Sequence, residues 1–331
     1  MSAGLALAGE FGDHCTTSLS MGAMHKTKCE INSVFEGKTY CFGSEESKAE
    51  YLKDPKMTIQ MATVAYVKQA DPVREKISQA DAVKQIQSKN CDLSDKDLGY
   101  LELDGMDLRH CRMVNTSFFG AYLRGANLSG ANMQRAYLNL ARLENANLSG
   151  ADLTDAIIFQ AIFSKTNFRG TNLTNARVIG TLGDVDMSNT IAKNALFGLD
   201  MGNQPMGQMK FDSVGGNFAN TNFEGADLNI ASFRFANLTG ANLSNTNLYR
   251  ADLSQADLTG ANLTGAKLDS ADVDGATFKD VIGLDTVKGF DLVKGKCKDC
   301  LVKVAEAKSA SMSPDTKEGA VVCNMRPPMA E

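Results

Sequence analysis

Ala126-Asn127-Leu128-Ser129-Gly130 and, much later, Ala256-Asp257-Leu258-Thr259-Gly260 are two instances of one five-residue phrase. Stepping by five from Leu93 gives Leu98, Leu103, Leu108, Met113, Phe118, Leu123, Leu128, Met133, Leu138, Leu143, Leu148, Leu153, Ile158, Phe163, Phe168, Leu173 and Val178. Every position is apolar. The pattern resumes at Phe218 and runs through Phe223, Leu228, Phe233, Leu238, Leu243, Leu248, Leu253, Leu258, Leu263, Leu268 and Val273 to Phe278. A small residue, usually Ala, stands two places before most of these. Neither a helix period of 3.6 nor a strand period of 2.0 accounts for this spacing, and a fixed internal period is the mark of a stacked repeat architecture.

The phrase Ala, then Asp or Asn, then Leu, then two variable residues resembles the pentapeptide-repeat family. The resemblance implies a square coil of four pentapeptides per turn, with the Ala and Leu positions inward and the other three outward. Residues 20 apart then stack at the strand spacing of about 4.8 Å. Small and large side chains share the narrow bore by volume, and stability accumulates coil by coil. Residues 93 to 278 make roughly nine coils and about 45 Å of rod at that spacing. The fold class expected is mainly β: a right-handed quadrilateral β-solenoid with a small α+β N-terminal module and a linking helix.

Composition agrees with a repeat rod. The 331 residues are 43 % hydrophobic but only 7 % aromatic with no Trp, so Ala and Leu carry the apolar count. A formal charge of −5 gives no basic footprint for phosphate backbones, and nucleic acid is not an expected partner. No run of eighteen apolar residues occurs, which excludes a transmembrane helix on length. Met1 to Ala8 reads as the remains of a signal-peptide end or as an ordinary terminus. The expected location is periplasmic or extracellular, with a cytoplasmic one as the alternative.

The parts expected are a small module over 1–70, a linking helix over 71–90, the solenoid over 91–280 interrupted at 179–217, and a Cys-containing tail over 281–331. Asp71-Pro72 supplies a helix start, and Val73, Ile77, Ala80, Lys84 and Ile86 mark a mostly apolar side that shields the first coil's open edge. In the interruption, Met187 and Phe197 are expected inward in a shifted register, with a loop near 200–216. Its cluster Met201-Gly202-Asn203-Gln204-Pro205-Met206-Gly207-Gln208-Met209 suits an adaptable contact better than a soft-metal site. Residues 29–55, with Phe35-Glu36-Gly37-Lys38-Thr39-Tyr40-Cys41-Phe42 at their centre, resemble a YHS domain, which implies a β-hairpin followed by a helix. The metal-associated versions carry Cys where this chain has Gly43 and Ser47.

Eight cysteines permit pairing. Cys91 and Cys111 hold the small inward position one coil apart, near enough for a disulfide; two buried thiols are the alternative. Cys15, His25, Cys29 and Cys41 are a candidate tetrahedral metal set, set against a cystine joining Cys29 to Cys41 or to Cys15. Cys297-Lys298-Asp299-Cys300, with Cys323 beyond, reads as a structural disulfide or inert thiols before a redox or zinc site. His14, His25 and His110 stand in no catalytic spacing, no phosphate-binding glycine loop occurs, and neither an enzyme nor a cofactor is expected. Asp and Asn before each Leu belong to the coil's own pattern more readily than to calcium.

Sorting outward residues by face gathers Phe119, Tyr137, Leu140, Ile157, Phe159 and Ile179 on one side, whereas the others are polar with Val114, Tyr122 and Ile162 as exceptions. An apolar patch on a soluble rod marks a contact surface. The expected function is a non-catalytic scaffold whose partners are other proteins, as a subunit of a larger complex or a homo-oligomer. Metal or redox handling by the terminal modules is one alternative. DNA mimicry, as in pentapeptide-repeat proteins that protect gyrase, is another; it needs a negative stripe, whereas residues 91–180 hold nine acidic and nine basic residues and 218–280 hold eight and four.

Overall fold

The computed structural model describes residues 10–35, 37–59, 61–62, 74–183, 185–198 and 210–300. Met1 to Ala8, Asp71-Pro72, the cluster from Met201 to Met209 and Cys323 lie outside them. The chain divides into two compact units, Met1–Val73 and Arg74–Glu331.

The first unit holds α1 (Thr16–Ser20), an antiparallel hairpin of β1 (Ile31–Phe35) and β2 (Lys38–Phe42), and α2 (Glu45–Lys53). Helix α2 starts where Ser44 caps it by accepting from the Ser47 N–H. Its core is Tyr40, Phe42 and Tyr51, with the Tyr51 ring 4.8 Å from Phe42 and 5.9 Å from Tyr40. The Tyr51 hydroxyl is buried with no hydrogen-bond partner, and burial pushes its pKa up to about 12. A phenol that stays neutral when folded contributes stability below its unfolded pKa near 10, and that contribution is lost as pH rises through about 12. Tyr51→Phe should therefore flatten an alkaline unfolding limb between those values. It should also stabilise the unit at neutral pH by about 1 kcal/mol, because an unpaired buried hydroxyl is removed; denaturant titration at pH 7 and pH 11 checks both.

The second unit opens with β3 (Glu75–Lys76) and α3 (Gln79–Ile86). The sequence pattern runs the helix from residue 71. Instead Ser78 caps it by accepting from the Asp81 N–H, because the residues before it serve the solenoid as a strand. The Glu75 and Ile77 N–H groups donate to the Asp95 and Asp97 carbonyls, and β3 pairs in parallel with β4 (Lys96–Asp97). Ile86 is buried in the solenoid core and Ile77 packs against it, so strand and helix together close the first coil's edge.

From there the chain coils. Parallel bridges link Asp92 to Arg112, Asn132, Asp152, Asn172, Ile191, Asn222, Asn242, Asn262 and Ile282 in succession, nine steps or about 43 Å of rod at the strand spacing. The residues at every fifth position from Leu93 to Val178 and from Phe218 to Phe278 are all buried. At the corners the backbone takes positive φ, as at Asn145 (60°), Gly150 (67°) and Asp155 (58°), which explains why Gly, Asn and Asp crowd that place. Where Thr replaces Ala inside, its hydroxyl finds a carbonyl: Thr166 donates to Leu143 O and Thr171 to Leu148 O.

The interruption is a change of step. Asn167, Asn172 and Arg177 pair with residues 19 further on, and Thr181, Asp186, Ile191 and Leu196 with residues 31 further on. One residue lost and eleven gained leave a net ten, two pentapeptides, so the five-residue phase returns. Met187 and Phe197 are buried as expected. The expected loop over 200–216 is too long, for Phe211 is buried and Asp212 is bridged to Thr181 and Ser232.

The coil does not end at 281, although the step is no longer five. Asn262, Lys267, Asp272 and Thr277 bridge to Ile282, Lys288, Lys294 and Lys298, a last coil whose steps are six, six and four residues. The extra residue is absorbed in 3₁₀ turns at Leu284–Thr286 and Phe290–Leu292, each entered from a glycine with positive φ. Three lysines on three sides of this outermost coil carry charge where its edge would otherwise invite pairing.

Candidate partner-binding face

Hydrogen bonds fix one face of the rod. The Tyr100 N–H donates to Phe119 O, Gly120 to Asn139 O, Leu140 to Phe159 O and Gln160 to Ile179 O. Phe119 and Phe159 are therefore two coils apart on one side, about 10 Å. Phe119, Tyr137, Ile157 and Phe159 are half-buried, and Leu140 is 42 % exposed. Tyr100, which the five-residue sorting missed because it lies on the first coil, is 67 % exposed. Its ring meets Phe119 edge-on at 5.4 Å, and Phe119 stacks on Tyr137 at 6.1 Å. The Arg74 guanidinium lies 5.8 Å from the Tyr137 centroid while donating to the backbone and side-chain oxygens of Asn115.

Ile179 does not belong to this exposed set: it is 1 % exposed. Outward pointing in a regular coil predicts a surface residue, but the coil stops being regular here. At Gly180 (φ 151°) the backbone accepts from the N–H of Asp212, 32 residues on, and Arg177 beside it is also buried. Val114, an expected surface exception, is buried as well; Tyr122 lies under the guanidinium groups of Arg124 (5.3 Å) and Arg142 (5.6 Å), and Ile162 is 43 % exposed.

Past the irregular step the same face continues through bridges from Arg177 to Leu196, Asp227 and Asn247, which brings Ile230 and Tyr249 into line with Leu140. Tyr249 is 45 % exposed. Tyr100 (φ 61°), Leu140 (59°) and Ile230 (58°) all occupy left-handed corners that most coils give to Gly, Asn or Asp. That placement costs each roughly 1 kcal/mol, and strained apolar residues kept at one surface point to use of that surface.

The other candidate residues resolve differently. Cys29 and Cys41 are joined (Cα–Cα 4.7 Å), as are Cys91 and Cys111 (4.6 Å) and Cys297 and Cys300. The tetrahedral metal set is thereby broken, since two of its thiolates are spent in a bond; of the rest, Cys15 is buried and His25 is exposed with Nδ1 3.4 Å from Ser18 Oγ. His110 is exposed against the carbonyls of Ile86 and Ser88. The Asp and Asn before each Leu turn their oxygens back to the chain. Asp152 accepts from the Thr154 N–H at 3.0 Å and Asn242 from Ser244 at 3.2 Å, while Asn242 donates across the coil to Asn222 and Asn262 to Asn242. Burial opposes the Asp152 carboxylate, yet the donors Thr154 and Gln134 outweigh it and hold its pKa below the ordinary value. These oxygens cap corners and do not converge on a cation.

The signature of pentapeptide repeats matches residues 116–155, 136–175, 159–181, 217–255 and 246–282, in eight copies. The solenoid belongs to the pentapeptide-repeat family. Among solved pentapeptide-repeat proteins, HetL of the cyanobacterium Nostoc, described as involved in the regulation of heterocyst differentiation, is 21 % identical, with 67 % of this chain and 94 % of HetL aligned at a TM-score of 0.50. That likeness is one of fold. A pentapeptide-repeat protein of the Arabidopsis thaliana thylakoid lumen is 30 % identical over 35 % of this chain and 56 % of its own, at a TM-score of 0.20. QnrB1, a plasmid-mediated fluoroquinolone resistance protein, is 16 % identical over 62 % and 78 %, at 0.29. No curated protein matches the chain in sequence. Among the described residues, no helix of this pentapeptide-repeat protein is long and apolar enough to cross a membrane.

Proposed function

We propose that this chain is a non-catalytic scaffold that binds a partner protein along the aromatic face of its solenoid, with its terminal modules adding contacts. The carrying observation is the ladder of Tyr100, Phe119 and Tyr137 continued by Leu140 and Phe159 on one side of the rod. Aromatic anchors of this kind concentrate binding energy at protein interfaces. The same reading takes the coil as right-handed, the N-terminal unit as YHS-like, and the location as the oxidising side of a cell envelope, since disulfides persist in such compartments. Near balance of charge over residues 91–180 speaks against mimicry of DNA.

The double variant Phe119→Asp, Phe159→Asp should lose association by at least a hundredfold in native co-purification or sedimentation, with thermal unfolding unchanged because both side chains are outward. Retained assembly with an intact melt rejects the reading.

A further inference from the structure

The N-terminal unit sets two cysteines beside a third, one through a bond and one through the backbone. Cys41 lies inside β2 and is bonded to Cys29, which precedes β1. On its other side, Cys41 is bridged in parallel to Cys15 through the backbone. Bridged neighbours on parallel chains are about 4.8 Å apart and send their side chains to the same face, a separation within the window in which a disulfide closes. The backbone thus sets Cys15 as well as Cys29 within disulfide reach of Cys41, which has one bond to share between them.

We propose that the Cys29–Cys41 disulfide exchanges with the Cys15 thiol, so that the bond passes to Cys15–Cys41 and the free thiol passes to Cys29. The Cys15 thiolate attacks Cys41 Sγ; the Cys15–Cys41 bond forms as the Cys29–Cys41 bond breaks. The electron pair leaves on Cys29 Sγ, which takes up the proton that Cys15 gave to solvent. One disulfide and one thiol stand on each side, so no oxidant or reductant enters.

Three further observations support the exchange. Cys29 sits at φ 56°, a left-handed conformation that a side chain other than glycine adopts at a cost, and losing its bond leaves it free to relax. Burial works against ionisation of Cys15, but hydrogen bonds from Ser18, from the Gly43 N–H and from Ser47 outweigh it and hold the thiol below its ordinary pKa, which favours the attacking thiolate. The two ends of the exchange also differ in access. Cys15 is 1 % exposed, whereas Cys29 is half-exposed beside the Asp13 carboxylate. Exchange therefore converts a shielded thiol into one that a soluble disulfide or other sulfur electrophile can reach, which gives this unit a use independent of the solenoid face.

The test uses the full chain carrying Cys323→Ser, so that three disulfides leave one thiol. The folded protein is labelled with N-ethylmaleimide at neutral pH, quenched in acid, and mapped as peptides without reduction. The expected map shows label on Cys29 together with a Cys15–Cys41 linked peptide, and Cys15→Ser lowers labelling at Cys29 at least tenfold. Label confined to Cys15, or no label until the protein is unfolded, overturns the proposal. In Cys29→Ser, oxidised glutathione should link Cys15 to Cys41; two persisting thiols in a folded variant also overturn it, and if that variant fails to fold the map of the parent chain still decides.

Discussion

Phe233→Ala is expected to destabilise the solenoid by about 3–5 kcal/mol, the range for truncating a fully buried aromatic. Phe233 is 0 % exposed, and its ring meets Phe218 at 5.1 Å, Phe211 at 5.4 Å and Phe223 at 6.0 Å. Phe197 joins the same group through Phe211 (4.8 Å) and Phe223 (5.6 Å). These rings fill the bore on both sides of the step where spacing changes from 19 to 31 residues. In a stacked rod each coil is held mainly by its neighbours, so a cavity here weakens the link between two otherwise regular halves. Denaturant unfolding should then broaden or split into two transitions. A single transition displaced by less than about 1 kcal/mol would show that the Phe cluster is not what couples them. Leu148→Ala, inside the regular first half and also buried, is the comparison: it should cost about 2–5 kcal/mol without separating the halves.

The second large effect belongs to Cys91 and Cys111. Replacing both by Ser opens a 20-residue loop and should cost about 3 kcal/mol on the loop-entropy estimate. A small hydroxyl side chain fits the small inward position, as buried Thr166 shows by donating to Leu143 O, so little of the loss comes from packing. The bond ties the first coil to the second beside the site where α3 inserts Ile86 into the core. Loss should accordingly appear first as faster amide exchange at residues 91–130, read by mass spectrometry, and a reducing agent should reproduce it in the unaltered chain. Equal protection with and without the bond would refute this.

Much of the rod is legible because a five-residue period leaves little freedom: the inward set from Leu93 to Val178 follows from counting, while the stacking at 20 and the nearness of Cys91 to Cys111 come from the four-sided coil that the family resemblance implies. Counting failed where the coil changed length. A period of six is written in Gly283, Gly289 and Gly295, all with positive φ, but a search tuned to five passes over it and ends the rod about twenty residues early. Ile179 was misplaced for a related reason, since its neighbours are set by an irregular step. The face itself was half visible. Phe119 and Phe159 could be paired by arithmetic, whereas Ile230 and Tyr249 needed the bridges across the interruption. The helix start moved from 71 to Ser78 because strand pairing with the first coil, a tertiary demand, claimed residues 75–76.

The one-short, eleven-long step in the middle of the rod has a geometric meaning. Ten surplus residues are half of a four-sided turn, so Asn217 stands above Asp186 and Asn167 rather than above Arg177. The surplus falls between Leu196 and Asp212, and the ladders run on through the step from Asn167, Asn172 and Arg177, so these faces of the lower half stay in line with the same faces of the upper half. Inserting or deleting one pentapeptide between Leu196 and Asp212 should therefore leave Ile230 and Tyr249 on the side of Phe119, so that a ligand spanning both halves would tolerate a change in the length of that step.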